Sequence, residues 1–454
     1  MSRIVAVSNR VAVGGESSGG LAVGVLAALE EYGGVWFGWN GKIVEGEMPD
    51  PEIEQRGRVT YATLPLNRQD FEDYYNGFSN NILWPLFHFQ LGVFSYDRRQ
   101  FNAYCRVNAL FARKLAPLIR PGDLIWVHDY HLILLASELR RAGIEQPIGF
   151  FLHVPFPGVD VLRALPPYQA LLRGLCAYDV VGFQTQRDLR SFEENITQRD
   201  FGDAMLADRR VGSKGCDVHA DVFPIGIDVT GIARLSKEAV STSPIKRMLK
   251  SLGKRRLIIG VDRLDYSKGL PERFRAYERL LEHNADQRGE LVFMQIAPPS
   301  RTGVRAYVEI RRQLEQTAGN INGRYAEMDW MPIRYLNRKY SRRTLMGLFR
   351  ISRAAVVTPL RDGMNLVAKE YVAAQDPENP GSLVLSTLAG AARELEAATL
   401  VNPYDIEDVA EGIMQAISMP LEERRERHRA MLEVLQRNDI TTWRTRFVEA
   451  LAGC

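Results

Sequence analysis

The chain has 454 residues, more than a single hydrophobic core usually holds, so two domains are expected. Hydrophobic residues make up 46% of it and charged residues 25%, the balance of a soluble globular enzyme. A net charge of +3 offers no broad basic surface, which argues against nucleic-acid binding. The sequence shows no membrane-spanning run and no signal peptide. Four widely spaced cysteines are expected to be free thiols, so a cytoplasmic protein is predicted.

The N-terminal segment has the order strand, glycine-rich loop and helix. The apolar run from Ile4 to Val7 predicts a buried strand, and residues 21–31 predict a helix. Arg10 follows the strand, and Gly19 and Gly20 directly precede the helix. This order suits phosphate binding, although neither a dinucleotide fingerprint nor a Walker A sequence is present. A surface loop is the alternative, and the position of Arg10 favours a functional loop.

An aromatic segment occupies residues 73–85. It contains Tyr75 and Trp84 among Asn, Ser and Gly residues. Aromatic side chains most often belong to a core. Here the interleaved polar residues favour a loop that lines a ligand cleft, where aromatic rings can stack on sugar faces.

Polar residues follow two strands of the first half. His128, Asp129 and His131 come after a strand that begins at Asp123, and His153 ends the next strand in a proline-containing loop. A metal site is one interpretation, but no further ligands follow at a suitable spacing, so no metal is expected. Because ligands bind at the carboxyl ends of parallel strands, a polar cluster that contacts substrate is favoured over structural histidines.

The second half repeats the alternation of strands and helices, which predicts parallel sheets covered by helices in both halves. Arg263 and Lys268 lie in a strand-to-helix loop, where two cations can bind a diphosphate. Two solvated charges beside a turn are the alternative. Residues 236–253, with mixed charge and a Ser-Thr-Ser-Pro run, are interpreted as a connection near a domain boundary.

A last strand, loop and helix place Asp362 in the loop and Glu370 in the helix that starts at Leu366. A helix start presents free N–H groups and a positive dipole end, which suit a phosphate or diphosphate. The alternative is a capped helix, with Asp362 as the capping residue and Glu370 solvated.

Taken together, the chain resembles the bacterial trehalose-6-phosphate synthases, which are retaining glycosyltransferases. The resemblance covers essentially the whole chain. It is carried by these motifs: Ser8-Asn-Arg10, Gly19-Gly-Leu-Ala-Val-Gly24, Tyr75-Asn-Gly-Phe-Ser-Asn, Leu83-Trp-Pro, Trp126-Val-His-Asp-Tyr-His-Leu, Gly149-Phe-Phe-Leu-His-Val-Pro-Phe-Pro, Asp262-Arg-Leu-Asp-Tyr-Ser-Lys-Gly-Leu-Pro, Gln295-Ile-Ala-Pro and Asp362-Gly-Met-Asn-Leu-Val-Ala-Lys-Glu-Tyr.

The resemblance implies an α/β fold of two facing Rossmann-like domains, the GT-B arrangement. Residues 1–235 would bind the acceptor and residues 236–454 the nucleotide-sugar, with the last helix packing back on the first domain. It also implies a homo-oligomer, either a dimer or a tetramer, that uses no cofactor. Since no haloacid-dehalogenase phosphatase pattern is present, the product would pass to a separate phosphatase.

The implied reaction moves glucose from a nucleotide-glucose donor, with UDP-glucose expected, to glucose-6-phosphate. The product would be α,α-trehalose 6-phosphate, formed with retention by front-face attack and without a covalent intermediate. Two alternatives stay open: a pseudo-sugar coupling enzyme of the validoxylamine synthase type, and a non-catalytic sugar-phosphate sensor. A sensor would be expected to lose Lys268 or Glu370, and both are present.

The resemblance also implies roles for individual residues. The expected acceptor-binding residues are Arg10, Tyr75, Trp84, Asp129 and Arg301, with the phosphate on the two arginines. The expected donor-binding residues are Gly19, Gly20, Arg263, Lys268, Tyr340, Asp362, Gly363, Met364, Asn365, Leu366, Val367, Ala368, Lys369 and Glu370. The expected catalytic residues are Asp129, His153, Arg263, Lys268 and Asp362. Tyr340 stands where relatives have Phe, which leaves the preferred base of the donor open.

Overall fold

The computed structural model describes residues 2–11, 13, 20–46, 48–197, 210–213, 216–300 and 305–454. Gly19 and Arg301 lie outside the described residues. The chain forms two compact units, of which unit 1 contains residues 1–225 and 441–454 and unit 2 contains residues 226–440. The domain boundary expected after residue 235 falls inside a helix of unit 2, Val229–Ala239. Within the described ranges, no helix is both long and apolar enough to cross a bilayer.

Unit 1 is built on a sheet of nine strands in its described part. The strands are β1 (Ile4–Arg10), β2 (Gly34–Val44), β3 (Glu52–Arg56), β4 (Val59–Asn67), β5 (Leu124–His128), β6 (Ile148–Phe151), β7 (Val180–Phe183), β8 (Arg210–Ser213) and β9 (Cys216–Val222). Their order is β3-β4-β2-β1-β5-β6-β7-β9-β8. Pairing is parallel except for β3 with β4 and β8 with β9. The predicted parallel sheet is confirmed.

The helices of unit 1 cover this sheet. They are α1 (Gly20–Tyr32), α2 (Arg68–Asp70), α3 (Trp84–Phe87), α4 (Arg98–Leu115), α5 (Leu135–Arg141), α6 (Val159–Arg163), α7 (Tyr168–Leu175) and α8 (Gln186–Thr197). Short 3-10 helices occupy Leu91–Val93, Ala116–Leu118 and Tyr130–Leu132. The strand predicted from Ile4 and the helix predicted over residues 21–31 are confirmed as β1 and α1.

The aromatic segment predicted to be a loop is instead helical. Residues Phe71–Leu83 form a π-helix, and the N–H of the following Trp84 donates to the Ser79 carbonyl five residues earlier. Asn67 starts this stretch by accepting the Asp70 N–H at 2.7 Å. Buried apolar side chains then hold it on the protein, with the Phe78 ring packing on α4. Because those tertiary contacts are not visible in local sequence, its polar residues gave a misleading loop signal.

Unit 2 contains a six-stranded parallel sheet in its described part. The strands are β10 (Arg256–Val261), β11 (Leu291–Ile296), β12 (Ile333–Leu336), β13 (Ala354–Val357), β14 (Ser382–Ser386) and β15 (Thr399–Val401), in the order β12-β11-β10-β13-β14-β15. Its helices are α9 (Val229–Ala239), α10 (Ser243–Leu252), α11 (Leu270–His283), α12 (Arg305–Tyr325), α13 (Arg342–Ile351), α14 (Leu366–Ala374), α15 (Ile406–Ser418) and α16 (Leu421–Arg437). Short 3-10 helices occupy Tyr266–Lys268, Ala285–Gln287 and Gly390–Arg393.

The segment interpreted as a domain connection, residues 236–253, forms the end of α9 and the whole of α10. Its proline, Pro244, lies in the first turn of α10, where a missing N–H costs no helical hydrogen bond. The Ser-Thr-Ser-Pro run therefore marks a helix start. The last helix, α17 (Ile440–Ala452), follows α16, and residues 441–454 belong to unit 1.

Among the cysteine side chains that the structure describes, one differs from expectation. Cys105 and Cys454 are thiols, as predicted, whereas Cys176 is disulfide-bonded. Wide spacing along the sequence does not exclude a bond, because the fold can bring distant cysteines together.

Candidate active site

Arg10 and Tyr75 are brought together in unit 1 by a tryptophan. Arg10 ends β1 and pairs with Trp39 in β2. Its guanidinium carbon lies 5.6 Å from the centroid of the Trp39 ring, and the Tyr75 ring lies 5.3 Å from the same indole. Gly41 permits this arrangement, because a Cβ atom there would lie 2.8 Å from an Arg10 nitrogen. Trp39 was not singled out from the sequence, although its aromatic, glycine-punctuated context was a signal.

Polar and aromatic groups of the π-helix contact residues at the ends of β1 and β5. The Tyr74 hydroxyl donates to the side chain of Asn9, the residue before Arg10, at 2.7 Å. Tyr75 stacks on the His131 ring, with centroids 5.9 Å apart and 15° between the planes. Departures from α-helical bonding of this kind are frequent at functional sites. The segment thus joins Arg10, Tyr75 and His131 into one aromatic and cationic surface.

Trp84 directly follows the π-helix and is only 5% exposed. Its indole packs 4.0 Å from the His88 ring and 5.8 Å from the Tyr130 ring, centroid to centroid. The Tyr130 hydroxyl donates to Asn80 at 2.9 Å. Trp84 therefore supports the residues of the β5 end from beneath.

Asp129 adopts a strained backbone conformation at the end of β5. Its φ angle is 76°, which is unusual for a residue other than glycine. Its N–H donates to the Phe151 carbonyl at 2.9 Å, and its carboxylate accepts the His153 N–H at 3.3 Å. The two polar strand ends predicted from sequence therefore meet. Strain of this kind is typical of functional positions.

His153 lies beside His128 at these strand ends. The Nε2 atom of His153 and the Nδ1 atom of His128 are 3.3 Å apart. Desolvation lowers the pKa of His153 to about 3. Burial, helped by the neighbouring ring, also lowers the pKa of His128 well below its ordinary value. Both rings are therefore neutral near pH 7.

In unit 2, the Lys268 ammonium and the Asp362 carboxylate form an ion pair. The Lys268 Nζ atom lies 2.6 Å from Asp362 Oδ2, and both side chains are largely buried. The Asn365 amide donates to the same oxygen at 3.0 Å. Arg263, from the same loop as Lys268, is exposed. The structure therefore unites Lys268 with the loop at Asp362, two segments that the sequence had placed at separate strand ends.

The predicted helix start is confirmed, with a different capping residue. Asn365 caps α14, because its side-chain oxygen accepts the Ala368 N–H at 3.1 Å, and its φ angle is 81°. Asp362 instead receives Lys268, so the alternative that made it the cap is wrong. Beneath the loop the backbone is tightly packed: a Cβ atom on Gly390 would lie 1.9 Å from the Gly363 carbonyl oxygen. Met364 is buried against the same turn.

Adjacent residues of α14 have different environments. Leu366 and Val367 are partly exposed, whereas Ala368 is buried. Lys369 is fully buried, with its Nζ atom 2.5 Å from Glu394 Oε2, so a donor could reach only its backbone. Glu370 has a different partner: its Oε1 atom lies 3.4 Å from a guanidinium nitrogen of Arg342. Burial raises the pKa of Glu370, and the Arg342 charge opposes that rise.

A buried arginine that sequence reasoning missed supports the loop of Arg263 and Lys268. Arg273 is 0% exposed and donates to Asp262 at 2.7 Å, to Gln295 at 2.9 Å and to Thr358 at 3.1 Å. These partners lie in or directly after three neighbouring strands. Its fourth bond reaches the Lys268 carbonyl at 3.2 Å. The signal was an arginine on the apolar face of α11.

Two further predicted residues, Tyr340 and Gly20, have simpler positions. Tyr340 is half-buried before α13, and its hydroxyl accepts from the Arg338 Nε atom at 2.7 Å. Gly20 begins α1. Among the described residues, no cluster of His, Cys, Asp and Glu is arranged to hold a metal ion.

Two α/β units with charged and aromatic groups at the carboxyl ends of parallel strands define an enzyme of the Rossmann-like class. The chain belongs to glycosyltransferase family 20, which it matches over residues 6–453. It is 51% identical to a trehalose-6-phosphate synthase of Klebsiella pneumoniae, over 99% of this chain and 95% of that protein. The resemblance stated from the motifs is confirmed.

Two solved structures are similar over almost their whole length. One is an α,α-trehalose-phosphate synthase (UDP-forming) from Burkholderia xenovorans in complex with glucose-6-phosphate, at 51% identity and a TM-score of 0.96, covering 99% of this chain and all of that one. The other is an E. coli protein bound with UDP-2-fluoro glucose, at 46% identity and a TM-score of 0.95, covering 100% of this chain and 99% of that one.

Proposed function

We propose that the protein transfers glucose from UDP-glucose to glucose-6-phosphate, releasing α,α-trehalose 6-phosphate and UDP. The observation that carries this proposal is the group of Lys268, Asp362 and Asn365 at the start of α14. It joins a cation, sugar-binding carboxylate and amide groups, and a helix start suited to a diphosphate. The two similar structures hold an acceptor and a donor analogue of this reaction.

The donor residues are assigned from the family resemblance, and their chemistry agrees with it. Arg263 and Lys268 bind the diphosphate, because two cations suit its charge. Asp362, with Gly363, Met364 and Asn365, binds hydroxyls of the transferred glucose. Glu370 accepts from the ribose hydroxyls; burial raises the pKa of its carboxyl group, and the nearby Arg342 charge opposes that rise. The remaining donor assignments are Gly19 and Gly20, Tyr340 near the base, and the backbone of Leu366, Val367, Ala368 and Lys369.

The acceptor residues belong to unit 1 and the loop of Arg301. Arg10 and Arg301 bind the phosphate of glucose-6-phosphate with help from Tyr75, since the surface of Arg10, Trp39 and Tyr75 presents one cation among aromatic rings. Asp129 accepts hydrogen bonds from acceptor hydroxyls. Trp84 shapes the pocket from below. His153 contacts the transferred glucose.

The reaction follows from where charge develops. As the anomeric C–O bond breaks, negative charge grows on the departing β-phosphate and positive charge on the glucose ring. Arg263, Lys268 and the start of α14 stabilise the phosphate charge. The acceptor hydroxyl attacks from the same face and gives its proton to the departing phosphate oxygen. No carboxylate is assigned as a nucleophile: Asp362 binds glucose hydroxyls, and its Oδ2 atom accepts hydrogen bonds from Lys268 and Asn365.

The test offers glucose-6-phosphate with a panel of nucleotide-glucose donors and follows nucleotide release, while NMR identifies the disaccharide. Absence of turnover with every donor would refute the proposal. Replacing glucose-6-phosphate by validamine-type acceptors separates it from pseudo-sugar coupling. Within the acceptor assignment, Arg301→Ala should raise the acceptor KM far more than the donor KM. Equal effects on both KM values would contradict that assignment.

The assembly and location are proposals of the same kind. A homo-oligomer, dimeric or tetrameric, a cytoplasmic location and a separate phosphatase that consumes the product are expected from the family resemblance. Light scattering on the purified chain measures the subunit number. Phosphate release from the disaccharide product by this chain alone would contradict a separate phosphatase.

A further inference from the structure

The last helix, α17, docks on the sheet of unit 1 through a groove left by two strand glycines. A Cβ atom on Gly149 would lie 2.8 Å from a ring carbon of Phe447, and one on Gly182 would lie 2.9 Å from the same ring. The two glycines are in the neighbouring strands β6 and β7. On its other side the Phe447 ring stacks on Trp126, with centroids 4.8 Å apart and 14° between the planes. This fit fixes where α17 lies.

Trp443 lies one helical turn before Phe447, on the same face of α17. Its indole is 2% exposed and packs 5.2 Å from the Phe151 ring, centroid to centroid. The His153 ring lies 6.3 Å away and is met edge-on, at 61°. By fixing the position of α17, Phe447 therefore holds the Trp443 indole in contact with the His153 ring.

His128 is the second neighbour of His153, through the 3.3 Å contact of the two ring nitrogens. Because both rings are neutral, each carries one proton, and one of the facing nitrogens must donate to the other. His128 is 0% exposed. Its other nitrogen, Nε2, is buried and has no hydrogen-bond partner in the part of the chain that the structure describes.

Two proton arrangements satisfy this contact. If His153 donated from Nε2, His128 would carry its own proton on its buried Nε2, as an N–H without an acceptor. If His128 donates from Nδ1, its buried Nε2 is a bare nitrogen and the proton of His153 is on Nδ1. Buried N–H groups without partners are rarer in proteins than under-satisfied acceptors. The second arrangement is therefore favoured.

We propose that Trp443 and His128 are positioning residues for His153: Trp443 fixes the plane of its imidazole, and His128 fixes its proton on Nδ1. His153 then offers an N–H donor to an oxygen of the transferred sugar. The identity of that ligand rests on the proposed function. The position of the proton belongs to the protein without substrate, so it can be measured whether or not the proposed reaction takes place.

Histidine ¹⁵N NMR on the full chain reads the proton position directly, because protonated and bare ring nitrogens have well-separated shifts. The variants His153→Gln and His128→Asn assign the two rings. In the wild-type protein we expect the His153 proton on Nδ1. In His128→Phe we expect it to move towards Nε2, the tautomer that an unconstrained imidazole prefers. A wild-type His153 protonated on Nε2, or on both nitrogens at pH 7, would overturn the role of His128.

Kinetics on α17 variants test the role of Trp443. Trp443→Leu should lower kcat roughly tenfold or more, since a small misplacement of a catalytic group costs a large rate factor. Both KM values should stay near wild type. Trp443→Phe, which keeps an aromatic wall, should recover most of kcat. The control is Glu449→Gln, an exposed residue of the same helix, which should match wild type.

A merely structural role for Trp443 gives a different pattern. It would lower the melting temperature and the folded fraction, while kcat per folded molecule stayed at the wild-type value in Trp443→Leu. That result would overturn the proposal for Trp443. A wild-type chain without transferase activity would refute the proposed function instead, and the NMR measurement would still decide the proton position on His153.

Discussion

Replacing Lys369 by methionine tests how the helix that carries Glu370 is held in unit 2. The Lys369 ammonium is fully buried and bound to Glu394 at 2.5 Å, and burial lowers its pKa. Methionine fills a similar volume and removes only the charge. The variant therefore leaves Glu394 as a buried carboxylate without its counter-charge, and the cost of that charge appears as lost stability.

The size of the loss follows from the ways in which Glu394 can respond. It keeps a hydrogen bond from Asn438 at 3.0 Å and can take up a proton. Protonating a glutamate of ordinary pKa, about 4.3, costs about 3.7 kcal/mol at pH 7 and about 1 kcal/mol at pH 5. Removing one partner of a buried pair typically costs about 3–5 kcal/mol. We therefore expect Lys369→Met to lose about 3–4 kcal/mol at pH 7.

The pH dependence has a definite sign. In the variant, the buried carboxylate has lost its counter-charge, so its charged form is less stable in the folded protein than in the unfolded chain. The stability of the variant relative to wild type is therefore greatest at low pH, where this carboxyl group is protonated in both states, and it falls as pH rises. Urea unfolding of both proteins at pH 5 and pH 7 measures it. The double variant Lys369→Met/Glu394→Gln is the matched control, expected within about 1 kcal/mol of wild type at both pH values.

Three results would refute this reasoning. They are wild-type stability of Lys369→Met at pH 7, an equal deficit at pH 5 and pH 7, and no recovery in the double variant. Donor KM adds a separate measurement, because a stable double variant should keep the wild-type value. A large rise in its donor KM would place the Lys369 ammonium on the donor rather than on Glu394.

Three other substitutions test buried contacts by urea or thermal unfolding. Arg273→Met should lower the free energy of unfolding by about 3–5 kcal/mol, because its partner Asp262 stays buried without a counter-charge. Arg273→Lys should recover only part of that loss, because an ammonium cannot replace four directed hydrogen bonds, and full recovery would contradict this. Gly149→Ala should lower the free energy of unfolding by about 1–3 kcal/mol by displacing Phe447, whereas Gly92→Ala, whose Cβ would meet open space, should be near neutral. Asn365→Ala should cost about 1–3 kcal/mol through the lost cap and the positive φ, and Asn365→Gly much less; equal losses would contradict the role of φ.

The sequence predicted the strand ends well, because their signals are local. Apolar runs followed by polar residues placed Asp129, His153 and Lys268 after parallel strands, which the structure confirms, and Arg10 at a strand's end, where it is the last residue of β1. Parallel strands align their carboxyl ends at one edge of a sheet, so correct strands bring such residues near one another. The contact of Asp129 with His153 is an example.

Pairings between distant segments could not be predicted in the same way. The position of Arg273 on the apolar face of α11 could have indicated burial, but only the fold shows that it binds residues at three strand ends. Trp443 is separated from His153 by most of the chain. Only the family resemblance assigned Lys268 and Asp362 to one site; the local sequence did not pair them. Gly19 and Arg301 lie outside the described residues.

The π-helix at Phe71–Leu83 limits how this chain can be shortened. Its wider turn places more residues between successive hydrogen bonds than an α-helix does. Deleting one residue would let the segment relax to ordinary helical bonding, with better local geometry, but would change the rotation and the rise between its two ends. Tyr75 and Trp84, which lie on either side of most such deletions, could not both keep their places. If Tyr75 and Trp84 bind the acceptor as proposed, the length of this segment matters for function, and a shortened variant should gain helical content while its acceptor KM rises.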